Sequence, residues 1–155
     1  MNQLATNYLT PSGREEAWRF TPLKKLAGLH DLDVSLSDNI SISAKNDLPK
    51  GVKITNIDTS DLPPAYVASD IVTNRVRREV AKSTLLTISD DLEIVEPIFL
   101  KRKCGASVEL SRVVIQVGVN SRATLVIENN GLGKLGEEIE VTLAAGSSLN
   151  FISLQ

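Results

Sequence analysis

A single cysteine, Cys104, occurs in the 155 residues. One thiol cannot close an intramolecular disulfide, and it cannot supply the thiolate set that an iron–sulfur cluster needs. A single histidine, His30, leaves no second imidazole for a zinc site. No triad partner is suggested near it either. Aromatic residues make up only 4% of the chain. The core must therefore be filled by Val, Ile and Leu, which suits sheets. No apolar run approaches the roughly 20 residues of a membrane span. The N-terminus shows no basic segment followed by an apolar stretch, so nothing reads as a signal peptide, and the cytoplasm is the expected compartment. The net charge is −2 with no long run of one sign, which gives no electrostatic case for nucleic acid or anionic lipid. What remains is 42% apolar and 23% charged, the balance of a soluble chain with one or two small domains.

The densest local signals lie between Gly13 and Leu26, around the only tryptophan, Trp18. Ser12 followed by Glu15 has the form of a capping box, and Glu15 and Glu16 fall where a helix dipole favours acids. Thr21-Pro22 reads as a second cap and first-turn proline, with Gly28 as the stop. The spacing thus predicts two short helices whose apolar face is Trp18, Phe20, Leu23 and Leu26. Residues 1–11 are polar, with Tyr8 and Leu9 as anchors. Val34, Leu36, Ile40, Ile42 and Ala44 alternate with polar residues around Ser37-Asp38-Asn39, predicting two short strands. Val52, Ile54 and Ile57 suggest another. A helix capped by Ser60 or Asp61 and opened by Pro63-Pro64 is expected to run to about Lys82. Its stripe is Ala65, Ala68, Val72, Val76 and Val80. Asn74, Arg75, Arg77 and Arg78 fall on the opposite, solvated side.

From Leu85 the period changes to two. Strand pieces are expected at 85–88, 92–95, 98–100, 108–110, 113–117, 123–127, 139–143 and 149–154. A repeat is visible within them. Val113, Ile115, Val117, Ala123 and Leu125 align with Ile139, Val141, Leu143, Leu149 and Phe151 at an offset of 26 residues. The polar corner Asn120-Ser121-Arg122 falls on Gly146-Ser147-Ser148, and Ser89-Asp90-Asp91 has the same form. Strand, corner, strand at such a period is the pattern of a stacked β-solenoid. The expected organisation is a small α+β domain over 1–84 and the start of a β-helix over 85–155.

No motif assembles a reaction site. Gly131-Leu132-Gly133-Lys134-Leu135-Gly136 invites a phosphate-loop reading but lacks the Gly-x-x-x-x-Gly-Lys-Ser/Thr spacing and a following helix, so it reads as a surface loop. Cys104 sits beside Lys101, Arg102 and Lys103, whose charges would lower a thiol pKa. Even so, a structural role is the expectation. His30 reads as an exposed loop residue. Asp58 with Asp61, and Asp90 with Asp91, fit caps and turns better than general acid/base work. Glu128, Glu137, Glu138 and Glu140 cluster near a loop without a facing ladder of Asp, Lys or Arg. Trp18 and Arg19 read as core plus salt bridge, with a docking surface as the alternative. No catalytic, cofactor-binding or metal residue is assigned.

Four segments in order resemble the SufB/SufD family of iron–sulfur cluster assembly scaffold proteins, most closely the SufD branch. They are Glu16-Ala17-Trp18-Arg19-Phe20-Thr21-Pro22-Leu23, Leu48-Pro49-Lys50-Gly51-Val52, Glu96-Pro97-Ile98, and the strands of the last sixty or so residues. The resemblance implies an α+β N-terminal region followed by the first coils of a right-handed parallel β-helix. It also implies an N-terminal portion of a longer protein. The implied role is a non-catalytic scaffold that partners a SufB-like paralogue and a SufC-like ATPase. ATP and the iron–sulfur cluster belong to the assembled complex, and no cofactor is expected on this chain. The uncharged strand at Phe151–Leu154 adds the expectation of a homodimer through the C-terminal strand edge. Two other readings stay open: a stand-alone β-rich binding or structural domain, such as a small sandwich, and a β-solenoid enzyme acting on polysaccharide. Strand direction separates stacked coils from a sandwich, because only the sandwich is built of antiparallel ladders.

Overall fold

The computed structural model describes residues 9–34, 36, 42–62, 70–105 and 107–155. Tyr8, Ser37-Asp38-Asn39, Ile40, Pro63, Pro64, Ala65 and Ala68 lie outside the described residues. The strands are β1 (Ile42–Ala44), β2 (Val52–Asp58), β3 (Lys82–Ile88), β4 (Ile98–Lys103), β5 (Val108–Val117), β6 (Arg122–Asn130), β7 (Lys134–Leu143) and β8 (Ser148–Leu154), and one α-helix, α1 (Ile71–Glu79), precedes β3. They form a mixed α/β fold of two four-stranded sheets, ordered β2-β3-β5-β7 and β1-β4-β6-β8. From β3 onward the chain alternates between the sheets, and each new strand lies parallel to the last strand of its own sheet. Among the described strands only β1 and β2, at the edges away from β8 and β7, pair antiparallel to their neighbours. The anticipated boundary at 84/85 falls within β3.

The register carries the sequence repeat into space. Val117 lies beside Leu143 and Leu125 beside Phe151, both at the 26-residue offset. The earlier ladders have longer offsets, because Ile98 pairs with Leu125 and Thr84 with Val113. A sandwich of antiparallel hairpins is thereby excluded for β3 to β8. Side chains alternate across each strand, so one set from each sheet faces the other sheet. Leu86, Ile88, Val113, Ile115 and Val117 meet Ile98, Leu100, Ala123, Leu125 and Ile127 in the main core. The polar corners hold the strands in step. Ser121 is wholly buried and its hydroxyl donates to Ser89 O at 2.7 Å while accepting from Leu92 N at 3.0 Å. Asp90 accepts from Val119 N at 2.7 Å. Asp91, Asn120 and Gly146 occupy equivalent left-handed positions with φ of 54°, 55° and 71°, where Asp, Asn and Gly are the residues best tolerated. Gly118 is required by space, because a Cβ there would lie 2.6 Å from the Asp90 amide nitrogen.

Several local expectations are overturned. The block around Trp18 does form two short helices, Glu16–Trp18 and Leu23–Leu26, both of the 3₁₀ type, but not with the expected caps. Neither Ser12 nor Thr21 is the cap, because Glu15 and Pro22 hold those positions without side-chain caps. Glu15 instead reaches back to Ser12 N (3.0 Å) and Gly13 N (2.9 Å). Runs of three and four residues leave too few turns for an α-helix to overcome its nucleation cost. Val34 lies in a bend, and Leu92–Val95 is not a strand, with a single bridge from Glu93 to Arg122. The stretches at 108–110 and 113–117 are one strand, since Ser111 and Arg112 are buried and paired with β7. Lys134-Leu135-Gly136 also belongs to a strand, so only Gly131-Leu132-Gly133 forms the loop.

The largest departure is at α1. Its cap is Asp70, which accepts from Thr73 N at 2.9 Å, while Thr59–Asp61 is a separate 3₁₀ turn. Val76 and Val80 join Leu29 and Leu110 in a second core between α1 and the outer face of the first sheet. Gly136 makes room there, because a Cβ would stand 2.6 Å from Leu29 and 2.9 Å from Leu110. Arg75 is not on a solvated face. It is 1% exposed, donates to Gly28 O at 2.8 Å and Asp31 O at 2.5 Å, and also bonds Val34 O and Glu79. One guanidinium thus satisfies the carbonyls of a segment that has no ladder of its own. Arg75→Met should lower the free energy of unfolding by about 3–5 kcal/mol, since it leaves buried acceptors and Glu79 without a donor. Arg75→Lys should recover only part of the loss, because an ammonium cannot span the same fork. Urea titration of the three proteins checks both.

Candidate functional site

The interior between the sheets is apolar at the corner end and polar at the other. Strand alternation that buries Ile98 and Leu100 also buries Arg102, and it carries Leu125 and Ile127 on to Asn129. Arg102 is 0% exposed. It donates to Asn129 Oδ1 at 2.9 Å and pairs with Glu137, while its Nε makes no hydrogen bond within the protein. Buried Glu109 accepts from Gly105 N at 2.9 Å. Beside this cluster opens a cavity of about 240 Å³, lined by Cys104, Asn129, Gly131, Gly133, Glu137 and Gln155 among others.

Cys104 is buried at the mouth of this cavity. Its thiol pKa is raised, first by burial and then by Glu109, which together outweigh the lowering by Arg102. The expectation that its basic neighbours activate it is therefore corrected. Alternation turns Lys101 and Lys103 outward and leaves only Arg102 inside, and Glu137 already occupies that charge. The cluster stores a protonated thiol and a neutralised carboxylate. No group of three or more His, Cys, Asp or Glu side chains suited to a metal occurs among the described residues.

A second charged array lies outside, between α1 and the first sheet. Glu138 accepts from Arg77 Nε at 2.7 Å and faces Arg112 Nε at 3.3 Å, an ion-pair distance without hydrogen-bond alignment. Arg112 also donates to Glu140 at 3.2 Å. The hydrogen bond that Arg77 donates to Glu138 holds its guanidinium above the ordinary pKa. Each glutamate of β7 is thus matched to its own arginine: Glu137 to Arg102, Glu138 to Arg77 and Glu140 to Arg112. Glu128 lies 3.6 Å from Lys45, and a hydrogen bond from Asn130 with the charge of Lys45 holds its carboxyl below the usual range. The four acids share out their partners as structural ion pairs and face no common groove.

The other singled-out residues scatter. Asp90 and Asp91 are turn residues, as read from the sequence, while Asp58 lies 3.7 Å from Lys82. Asp61 closes an exposed 3₁₀ turn. His30 is half-buried rather than exposed, with Nδ1 enclosed and unpaired. Trp18 is half-buried, whereas Phe20 is 86% exposed and leaves the expected apolar face. The sequence missed Arg75, Arg102 and Arg112. An arginine at an inward strand position next to Leu100 was the one available signal, and it applied to Arg102 alone.

Comparison with known proteins supports the SufB/SufD family reading. An iron-sulfur cluster assembly SufBD family protein of Mycobacterium leprae is 26% identical over 144 residues, 92% of this chain and 37% of its own length. Proteins of the same description from Mycobacterium bovis and Mycobacterium tuberculosis are 28% identical over 148 residues, 92% of this chain and 36% of theirs. The chain thus spans little more than a third of the curated relatives it matches. No family model matches, and no solved structure matches.

Two titrations test this account of the charges. The Cys104 thiol should alkylate more slowly in the folded chain than in urea, and the midpoint of its rate against pH should lie above the ordinary thiol value of 9.0. Iodoacetamide trapping with mass spectrometry checks it. The Glu15 carboxyl is lowered from 4.5 to about 2, chiefly by the Ser12 amide. A depressed acid stabilises its turn above the unfolded value, and that contribution disappears as pH falls from 4.5 toward 2. Carboxyl carbon NMR across that window should place the Glu15 midpoint well below 4.5, at about 2.

Proposed function

We propose, with the family similarity as premise, that this chain acts as a non-catalytic scaffold segment in iron–sulfur cluster assembly, in the SufD-like manner. The observation that carries the reading is the match to SufBD proteins over 92% of the chain. The parallel stacking of β3 to β8, at a 26-residue register in its last two ladders, supports reading this part as the first coils of a right-handed parallel β-helix. On this reading the cluster is cargo of the complex, and ATP is consumed by a SufC-like ATPase. A SufB-like paralogue completes the scaffold in the cytoplasm. No described helix is long and apolar enough to cross a membrane. The matching of every β7 glutamate to an arginine argues against a carboxylate-driven polysaccharide enzyme.

Purified alone, the chain should neither hydrolyse ATP nor retain a cluster after anaerobic reconstitution, and it should bind a purified SufB-like paralogue. A stoichiometric visible chromophore that is lost in Cys104→Ser would overturn the non-binding role. ATP hydrolysis that follows the chain through every purification step would overturn the non-catalytic one.

A further inference from the structure

Two of the family-like motifs, far apart in sequence, meet in space. Leu48-Pro49 and Glu96-Pro97 line one shallow cavity of about 120 Å³, together with Asp47 and Phe99. That volume is near the ~150 Å³ of an engineered apolar cavity that takes up benzene. Two carboxylates, Asp47 and Glu96, line the cavity, against one ammonium at its wall, Lys45, whose Nζ lies 5.8 Å from the Phe99 ring centroid. Both acids are exposed. Neither motif has any part in the charged arrays described above.

A third motif offers the complementary shape. Phe20 projects from the turn after Trp18 and is 86% exposed, with the Arg19 guanidinium 5.4 Å from its ring centroid. Arg14, Lys24 and Lys25 are exposed in the same short block. An exposed Phe beside an Arg costs solubility and adds nothing to the core, and an aromatic–Arg pair is the composition of an interface anchor. We propose that the Arg19–Phe20 knob of one chain docks in the Leu48-Pro49/Glu96-Pro97 cavity of a second copy. The ring enters the apolar floor, and the basic rim meets Asp47 and Glu96. The contact is heterologous, with different surfaces on the two copies, and it does not involve the β8 edge.

Sedimentation equilibrium of the whole chain tests this. The wild type should gain mass with concentration, and the emission of Trp18 should shift to shorter wavelength as it does. Phe20→Ala, Arg19→Glu and Glu96→Arg should each weaken association at least tenfold while leaving the circular dichroism unchanged, because all three positions are exposed. An equimolar mixture of the Arg19→Glu and Glu96→Arg chains should associate where neither does alone, since one reversed knob then meets one reversed cavity. A wild type that stays monomeric at millimolar concentration overturns the proposal. So does association that survives these changes but is lost in Ile152→Lys, which would assign the contact to the β8 edge.

Discussion

Val113, Ile115 and Val117 of β5 face the second sheet across the core, and Ile139, Val141 and Leu143 of β7 run beside them in step. The same holds for Ala123 and Leu125 of β6 against Leu149 and Phe151 of β8. A slip of one residue would turn every one of these side chains to the opposite face. Register is therefore the constraint on which the interior depends. The corners enforce it: buried Ser121 ties one crossing to the next, and left-handed Asp91, Asn120 and Gly146 repeat the same reversal of direction. The polar end of the interior follows from the same alternation, since a strand in register that buries Leu100 must bury Arg102 as well.

Outside the sheets the constraint is different in kind. The segment from Gly28 to Val34 forms no ladder, and its carbonyls would be costly to bury without donors. Arg75 supplies those donors from α1, and Leu29 packs against Leu110 over the bare backbone of Gly136. The helix is fixed in turn by Arg77 through Glu138 to Arg112. One face of β5 thus belongs to the core between the sheets and the other to the core beneath α1, which is why nearly all of its residues are buried.

The part of the fold that repeats was legible in the sequence. Period-two apolar runs and a constant offset report burial directly, and they located Val117 beside Leu143 before any coordinates. What failed was whatever depended on a partner remote in sequence. Arg75 reads as solvated on its own helix because its acceptors lie more than forty residues earlier. Ser111 and Arg112 read as a break in a strand because β7 and α1 cover them. The basic neighbours of Cys104 read as lowering its pKa because sequence adjacency does not say which side of the strand they occupy. The Trp18 block kept its two short helices but not their caps, which fall on Glu15 and Pro22 rather than Ser12 and Thr21. The meeting of Leu48-Pro49 with Glu96-Pro97 had no local signature at all.

The ladders also set how this chain must fold. The nearest residues joined across any strand pair, Asp58 and Lys82, are 24 positions apart, and every parallel pair joins residues at least as distant. Among the described residues no tight hairpin nucleates a sheet locally. Each pairing must first meet the entropy of closing a long loop, and the reward comes only when the next strand arrives. Folding should therefore be slow and strongly ordered, with each crossing serving as the template for the one after it. The antiparallel β1 and β2, together with α1, fold against the first strands to emerge and give that growth its starting edge.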